Sequence, residues 1–388
     1  MKIMHISTRL ILGGSQENTL ISCRGQVASG HEVMLVHGPI YGPEGSMQVD
    51  AEAIEGLVRV ESPGMVRQVN PISDARCLKH LGRVIDSWKP DVVHTHSSKA
   101  GILGRQAAWS RKVPAVVHTI HGLPFHPYQN FVARKLYIAC ERHAAARCHA
   151  IVTVADAMAD QAIARGIGRK TQYRTIYSGM ETAPLLESGT LRVETREQLG
   201  FAPDDLVIGT VSRLSDLKGH EDLVRGLSPL MKQRPRIRLL WVGDGWLRKN
   251  LEQEIRSAGL EDRVMITGLV DPGRIPAMIS AMDMLVHPSY REGLPRAVVQ
   301  AMLCGRPVVA YDVDGTPEAC IDGSTGRLVS PGDLNGLSSA VEQVIDNREA
   351  SDRMARMARE HCMTRFDAAV MVRQLETLYG EVLAGEFP

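Results

Sequence analysis

The sequence predicts an α/β protein made of two successive domains, each built on a parallel sheet. Three observations carry this. Short apolar, β-branched runs such as VVHTI, VIGTV, MLVH and PVVA alternate with longer stretches of helical periodicity, the pattern of strands buried on both faces by helices. The connections between them are short. The alternation also lapses near residue 180 and resumes near 205, in a chain of 388 residues that leaves each half enough length for its own core.

Taken in order, residues 2–7 (KIMHIS) read as a buried strand, followed by the loop RLILGGSQEN and a helix over 17–29. Gly13 and Gly14 permit close backbone approach at a helix N-terminus; the plainer reading is a flexible turn. No GxGxxG follows the strand, so a dinucleotide-binding loop is not expected. Strands at 32–37 and 57–60 and a helix at 72–88 come next. PDVVHTHSSKAGILGR supplies a strand at 92–94 and a helix from Lys99, with His94, His96 and Ser97 at the strand end where open sheets bind ligands. His94 and His96 are read as pointing to opposite sides of the strand, one of them a packed core histidine. With no third ligand in view, a zinc pair is not expected. PAVVHTIHGLPFH places His118 and His121 at another strand end. A helix over 128–147 carries Arg134, Lys135, Arg142 and Arg147 beside Phe131, Leu136 and Tyr137. An ordinary half-buried surface helix is its plainer reading, and contact with an anionic membrane surface the alternative. A strand at 150–154 and a helix after it close the first half.

Residues 181–200 lack a strand and read as a linker with local helix. Strands then recur at 207–211, 237–243 and 264–268, with helices from Glu221, from Trp246 and over 275–281. Arg213 and Lys218 flank a turn between strand and helix, where a forked guanidinium and a point charge suit phosphate oxygens. The stretch 284–318 reads as strand, helix, strand, the helix running from Leu294 to Cys304, with Glu292 in the turn and Gln300 eight residues on along one helix edge. A strand at 326–330 and helices over 333–384 complete the chain.

A net charge of +1 creates no field that calls for nucleic acid. Seven scattered cysteines without CxxC spacing indicate reduced thiols and a cytoplasmic protein. No apolar run approaches the length of a spanning helix.

EGLPRAVVQAM, GRPVVA and GTPE together resemble the donor-site signature of GT-B glycosyltransferases, in particular the retaining enzymes of family 4. The one departure is Gln300, which stands where the family has a second glutamate. HTIHGLPFH and the Gly13–Gly14–Ser15–Gln16 element are similar to further family segments. The resemblance implies two Rossmann-like domains facing across a cleft: an acceptor domain over 1–180, a linker over 181–200, a donor domain over 201–365, and a terminal segment over 366–388 that packs back on the first. It implies a hexosyltransferase that uses a nucleotide-sugar donor, uridine above guanosine, toward a glycan, lipid-linked or small-molecule acceptor. No metal or other cofactor is implied; the DVD at 312–314 is read as a turn. Arg213 and Lys218 resemble the diphosphate clamp. Glu292, with Gly293, Leu294 and Pro295, would hold the donor sugar, and Gln300 would face the ribose. Gly243 would approach the nucleotide, Gly268 and Leu269 would read the base, and Gly13 and Gly14 would lie near the diphosphate. His121 would lie near the donor sugar. Gln16, His96, Ser97 and Lys99 are the acceptor-side candidates. A catalytically weakened binding protein of the same fold, suggested by Gln300, and a 2-epimerase-like enzyme are the alternatives. The protein is expected in the cytoplasm, with peripheral contact to the inner face of the membrane as the further reading of helix 128–147.

Overall fold

The computed structural model describes residues 1–40 and 44–387, which divide into two units: Met1–Met180 with the segment from Ala368 onward, and Glu181–Asp367. The first unit is built on strands β1 (Lys2–Ser7), β2 (Glu32–His37), β3 (Val58–Glu61), β4 (Val92–His96), β5 (Ala115–Ile120), β6 (Ala150–Thr153) and β7 (Tyr173–Thr175). They form one sheet in the order β3-β2-β1-β4-β5-β6-β7, every pair parallel. The order reverses between β1 and β4. The loops after those two strands therefore diverge and leave a crevice at the carboxyl edge.

Both faces of this sheet are covered, as continuous apolar strands require. Met4, Ile6, Val93 and Val116 pack with Leu81, Ile85 and Ala107 on one side. On the other, Ile3, Val92, Val117 and Val152 meet Met371, Leu375, Leu378 and Tyr379 of the helix Ala368–Ala384. This last helix lies close against the helix Gly14–Ala28, because residue 25 is a glycine. A Cβ there would stand 2.5 Å from Val372 Cγ2. The helix expected over 128–147 spans Phe131–Ala145, with the Asn130 side chain accepting from the amides of Val132 and Ala133. It is less embedded than the half-buried reading supposed: its buried residues are Glu141, Ala144 and Ala145, all in the last turns.

The second unit carries β8 (Leu206–Val211), β9 (Ile237–Val242), β10 (Val264–Ile266), β11 (Met284–His287), β12 (Val308–Tyr311) and β13 (Arg327–Val329). Its sheet runs β10-β9-β8-β11-β12-β13, again wholly parallel, with its reversal between β8 and β11. Residues 181–200 form the short helices Thr182–Leu186 and Arg192–Gln198 with a 3-10 turn between them, and belong to this unit. Arg192 and Arg196 anchor them, each guanidinium reaching Asp283 ahead of β11, at 2.5 and 3.3 Å. Several boundaries move relative to the sequence reading, two of them next to candidate site residues. Strand β4 runs on to His96, and the helix after β11 is Arg296–Leu303, starting beyond Leu294. Among the described residues no helix is long and apolar enough to cross a membrane.

Candidate active site

At the reversal point of the second sheet, the loop after β8 (Ser212–Gly219) and the loop after β11 (Pro288–Pro295) are tied together. The backbone amide of Tyr290 donates to Leu217 O at 2.8 Å, and Ser289 Oγ donates to the same carbonyl at 3.2 Å. Tyr290 and Tyr311 both donate their hydroxyls to Asp222 Oδ2, each at 2.7 Å, so the β11 loop is also pinned to the helix His220–Gln233. Gly219 permits this approach. Its φ of +70° favours glycine, and a Cβ would fall 2.0 Å from Pro288 O. As the N-cap of the helix His220–Gln233, Gly219 offers no capping side chain, so that helix presents its first amides at the crevice.

Across these loops lies an ion pair that the sequence reading did not anticipate. Lys218 Nζ is 2.6 Å from Glu292 Oε1, and His287 Nε2 is 2.9 Å from the same oxygen. The backbone amide of Glu292 donates to Asp314 Oδ2 at 3.0 Å. Asp314 thus lies in a turn, at φ +45°, where it braces the glutamate from behind. The Glu292 side chain is 12% exposed. Burial works against its charge, but Lys218 and then His287 outweigh burial and hold the carboxyl well below the usual carboxylate range. Oε1 is doubly engaged, while Oε2 takes no hydrogen bond from the described residues and keeps its acceptor capacity for a ligand. Beneath the pair, His220 bonds Ser212 Oγ at 3.2 Å. Burial, with His287 and Lys218 adding to it, lowers His220 to about 3, so it stays neutral.

The remaining second-unit candidates cluster on the same carboxyl edge. Arg213 is half-buried, two residues beyond the end of β8. Gly243 and Gly268 pair in an isolated antiparallel bridge, and a Cβ at Gly243 would fall 2.1 Å from Ser212 O. The loops after β8, β9 and β10 are thereby layered on backbone contacts that admit no side chain at Gly243. Leu269 is 47% exposed beyond them. Leu294 and Pro295 are buried, Pro295 as N-cap of the helix Arg296–Leu303. Gln300 is half-buried in that helix; its carbonyl accepts from the Cys304 amide at 3.0 Å, while its side chain makes no hydrogen bond to the described residues. The expectation that Glu292 and Gln300 share one helix edge is corrected: Glu292 precedes the helix by four residues, so helical spacing does not relate the two.

In the first unit, Thr8 after β1 and Ser97 after β4 join across the reversal point, hydroxyl to hydroxyl at 2.7 Å. Gly13 is the N-cap of the helix Gly14–Ala28, and Gln16 Oε1 accepts from Ser15 Oγ at 2.8 Å. Lys99 is drawn away from an acceptor role: Nζ pairs with Asp74 Oδ1 at 2.5 Å and donates to Gln68 O. His94 and His96 do not point to opposite sides of β4. Residues two apart on a strand share a face, and their ring centroids are 4.3 Å apart. A third histidine, His5 of β1, also joins them. Ring nitrogens of His5, His94 and His96 lie within 4.8 Å of one another, all three residues buried. The signal was present in the sequence as KIMHIS beside VVHTH, on strands that pair His5 with His94. Beyond them, His96 Nδ1 is 3.1 Å from Nε2 of half-exposed His121.

With this geometry in view, comparison with known proteins is informative. Residues 13–179 match the glycosyl transferase 4-like domain, and residues 192–361 match the glycosyl transferases group 1 model. The alpha-D-kanosaminyltransferase of Streptomyces kanamyceticus is 30% identical over 346 residues, 86% of each chain. The UDP-Gal:alpha-D-GlcNAc-diphosphoundecaprenol alpha-1,3-galactosyltransferase of Escherichia coli is 26% identical over 330 residues, 84% of each. Among solved structures, HepE of Anabaena in complex with UDP and glucose has a TM-score of 0.83 at 23% identity, over 98% of this chain and 100% of that one. The fold is GT-B. The chain belongs to the group 1 glycosyl transferases and is a glycosyltransferase.

The ion pair has a pH signature. Because the folded carboxyl of Glu292 is depressed, its contribution to stability is complete above an unfolded pKa of about 4.3. It is lost as pH falls through the lower folded value. The wild type is expected to exceed Glu292→Gln in denaturant midpoint at neutral pH, with a lead that shrinks progressively as pH falls below about 4. A gap unchanged in acid would show that the loops are held by something other than this pair.

Proposed function

We propose that the chain moves a hexosyl group from a nucleotide-diphosphate sugar to a glycan, lipid-linked or small-molecule acceptor, with retention at the anomeric carbon and without a metal ion. The observation that carries this reading is the Lys218–Glu292–His287 cluster at the reversal point of the second sheet, beside an uncapped helix N-terminus. As the sugar leaves, negative charge grows on the diphosphate, and fixed cations and amides lower that barrier most. Lys218 and Arg213 supply the cations, and the first amides of the helix His220–Gln233 the dipolar donors. Glu292, kept ionised by Lys218 and His287, offers Oε2 to hydroxyls of the donor sugar. Gly243, Gly268 and Leu269 would receive the base. The relative named for a UDP-galactose donor, and the neighbour solved with UDP and glucose, favour uridine. His121 and the first-unit loops after β1, β4 and β5 would meet the sugar and the acceptor, since loops carry specificity.

The decisive experiment offers the purified chain a panel of UDP- and GDP-sugars and follows donor hydrolysis and transfer, with and without a chelator. Turnover of one UDP-sugar, undiminished by chelation and giving the donor's own anomeric configuration by NMR, is expected. Strict dependence on an added divalent ion, or inversion, would overturn the metal-free retaining reading.

Gln300 takes the ribose in this reading. An amide accepts from one ribose hydroxyl and donates to the other, whereas a carboxylate accepts from both. A charge-assisted bond stronger by roughly 1–2 kcal/mol predicts that Gln300→Glu binds UDP on the order of tenfold more tightly. Calorimetric titration showing equal or weaker binding would remove Gln300 from the ribose site.

The exposed start of the helix Phe131–Ala145 supports peripheral membrane contact. Tyr128, Phe131, Val132 and Leu136 are 59%, 56%, 72% and 62% exposed, and Lys135 Nζ lies 4.4 Å above the Phe131 ring. Apolar side chains with cations among them suit an anionic bilayer surface. Co-sedimentation with vesicles rich in anionic lipid is expected for the wild type and lost in Phe131→Ser/Leu136→Ser; equal recovery of both proteins would refute the contact.

A further inference from the structure

The buried polar groups of the first unit form two hydrogen-bonded chains that meet at a single amide. Gln26, on the helix Gly14–Ala28, is fully buried. Its Oε1 lies 2.7 Å from His5 Nε2, and its Nε2 lies 3.4 Å from Tyr379 Oη. From His5 Nδ1 the next link is His96 Nε2 at 2.9 Å, and from His96 Nδ1 the next is His121 Nε2 at 3.1 Å. The second chain runs from Tyr379 Oη to His94 Nδ1 at 2.5 Å and from His94 Nε2 to Thr119 Oγ1 at 2.6 Å.

Three clustered histidines suggest a metal centre, but the hydrogen bonds argue for another use. Both ring nitrogens of His5, of His94 and of His96 are already engaged by protein groups. A bound cation would have to break these bonds, with no carboxylate among the ligands to balance its charge. The network is instead suited to ordering protons. Burial lowers His5 to about 4 and His96 well below the ordinary range, so both rings are neutral. Each neutral ring has one donor and one acceptor nitrogen.

The direction of the first chain follows from its start. An amide oxygen only accepts, so the His5 proton is on Nε2 and His5 Nδ1 is an acceptor. That acceptor requires a proton on His96 Nε2, which leaves His96 Nδ1 as an acceptor. This nitrogen in turn requires a proton on His121 Nε2. Turning the Gln26 amide by half a rotation would invert every link. One amide therefore sets the protonation pattern of a ring three bonds away.

We infer that Gln26, His5 and His96 are positioning residues that keep a proton on His121 Nε2, facing His96, and so fix the orientation of its ring. The consequence for turnover rests on the proposed placement of His121 at the donor sugar; the tautomer lock itself does not.

The test uses the full chain labelled with 15N-histidine and long-range 1H–15N correlation spectra, which separate the two neutral tautomers. In the wild type, His5, His96 and His121 are each expected as Nε2–H. Gln26→Leu, which removes the acceptor, should give His121 a mixture of tautomers and lower kcat on the order of tenfold, as loss of a group orienting a catalytic ring does. Gln26→Glu keeps an oxygen facing His5 and should restore both the Nε2–H signature and turnover. An Nδ1–H His121 in the wild type would overturn the inference, as would an unchanged tautomer in Gln26→Leu. Should Gln26→Leu fail to fold, the wild-type and Gln26→Glu spectra decide. Tautomers that follow residue 26 while turnover does not would uphold the lock and remove His121 from the donor site.

Discussion

The contact between Lys218 and Glu292 is the interaction on which the geometry of the second unit's crevice depends. These residues come from loops following strands that are neighbours in the sheet but distant in sequence. The sheet order alone brings the loops near each other. The ion pair, the two tyrosines on Asp222 and the shared Leu217 carbonyl set their spacing. A charge pair that is largely shielded from water is costly unless its geometry is good and its spare hydrogen-bonding capacity is used. Here His287 uses part of that capacity, and Asp314 holds the glutamate's backbone amide. The other carboxylate oxygen, Oε2, keeps its acceptor capacity in a crevice whose loops are already fixed.

The two units solve the same topological problem with different chemistry. Each sheet reverses strand order once, and each keeps its functional candidates at that reversal. The second unit fills the place with charge and bare backbone. The first fills it with neutral, hydrogen-bonded rings and hydroxyls, from Thr8 and Ser97 to the histidines. A charged crevice suits a pyrophosphate, and a neutral hydrogen-bonding one suits alcohols.

Much of the fold was legible in the sequence, because buried parallel strands write themselves as unbroken β-branched runs and helices as amphipathic ones. Strands such as VIGTV and MLVH fall within a residue or two of their expected places. Elements carried by few apolar residues were missed, among them the helix Gln48–Glu52 and the strand Tyr173–Thr175. Within the site, residue types were legible and partnerships were not. Lys218 and Glu292 were each singled out, yet their pairing depends on strand adjacency across 74 residues. His5 lay unremarked in KIMHIS because one histidine in an apolar strand carries no local signal; only the register of β1 against β4 sets it beside His94. The helix start was misplaced because Leu294 continues the apolar periodicity, while Pro295 ends up as the N-cap.

The return of the helix Ala368–Ala384 to the first sheet has a consequence for biogenesis. Ile3, Val92, Val117 and Val152 precede the second unit in the chain, but the side chains of Ala368–Ala384 that cover them are made only after it. Throughout synthesis of the intervening 181–367, the nascent first unit carries an open greasy face. Such a face is a hazard for aggregation and a natural client of chaperones. Neither half of this polypeptide is therefore a self-sufficient module when simply cut at residue 180; a split version would have to supply the terminal helix in trans.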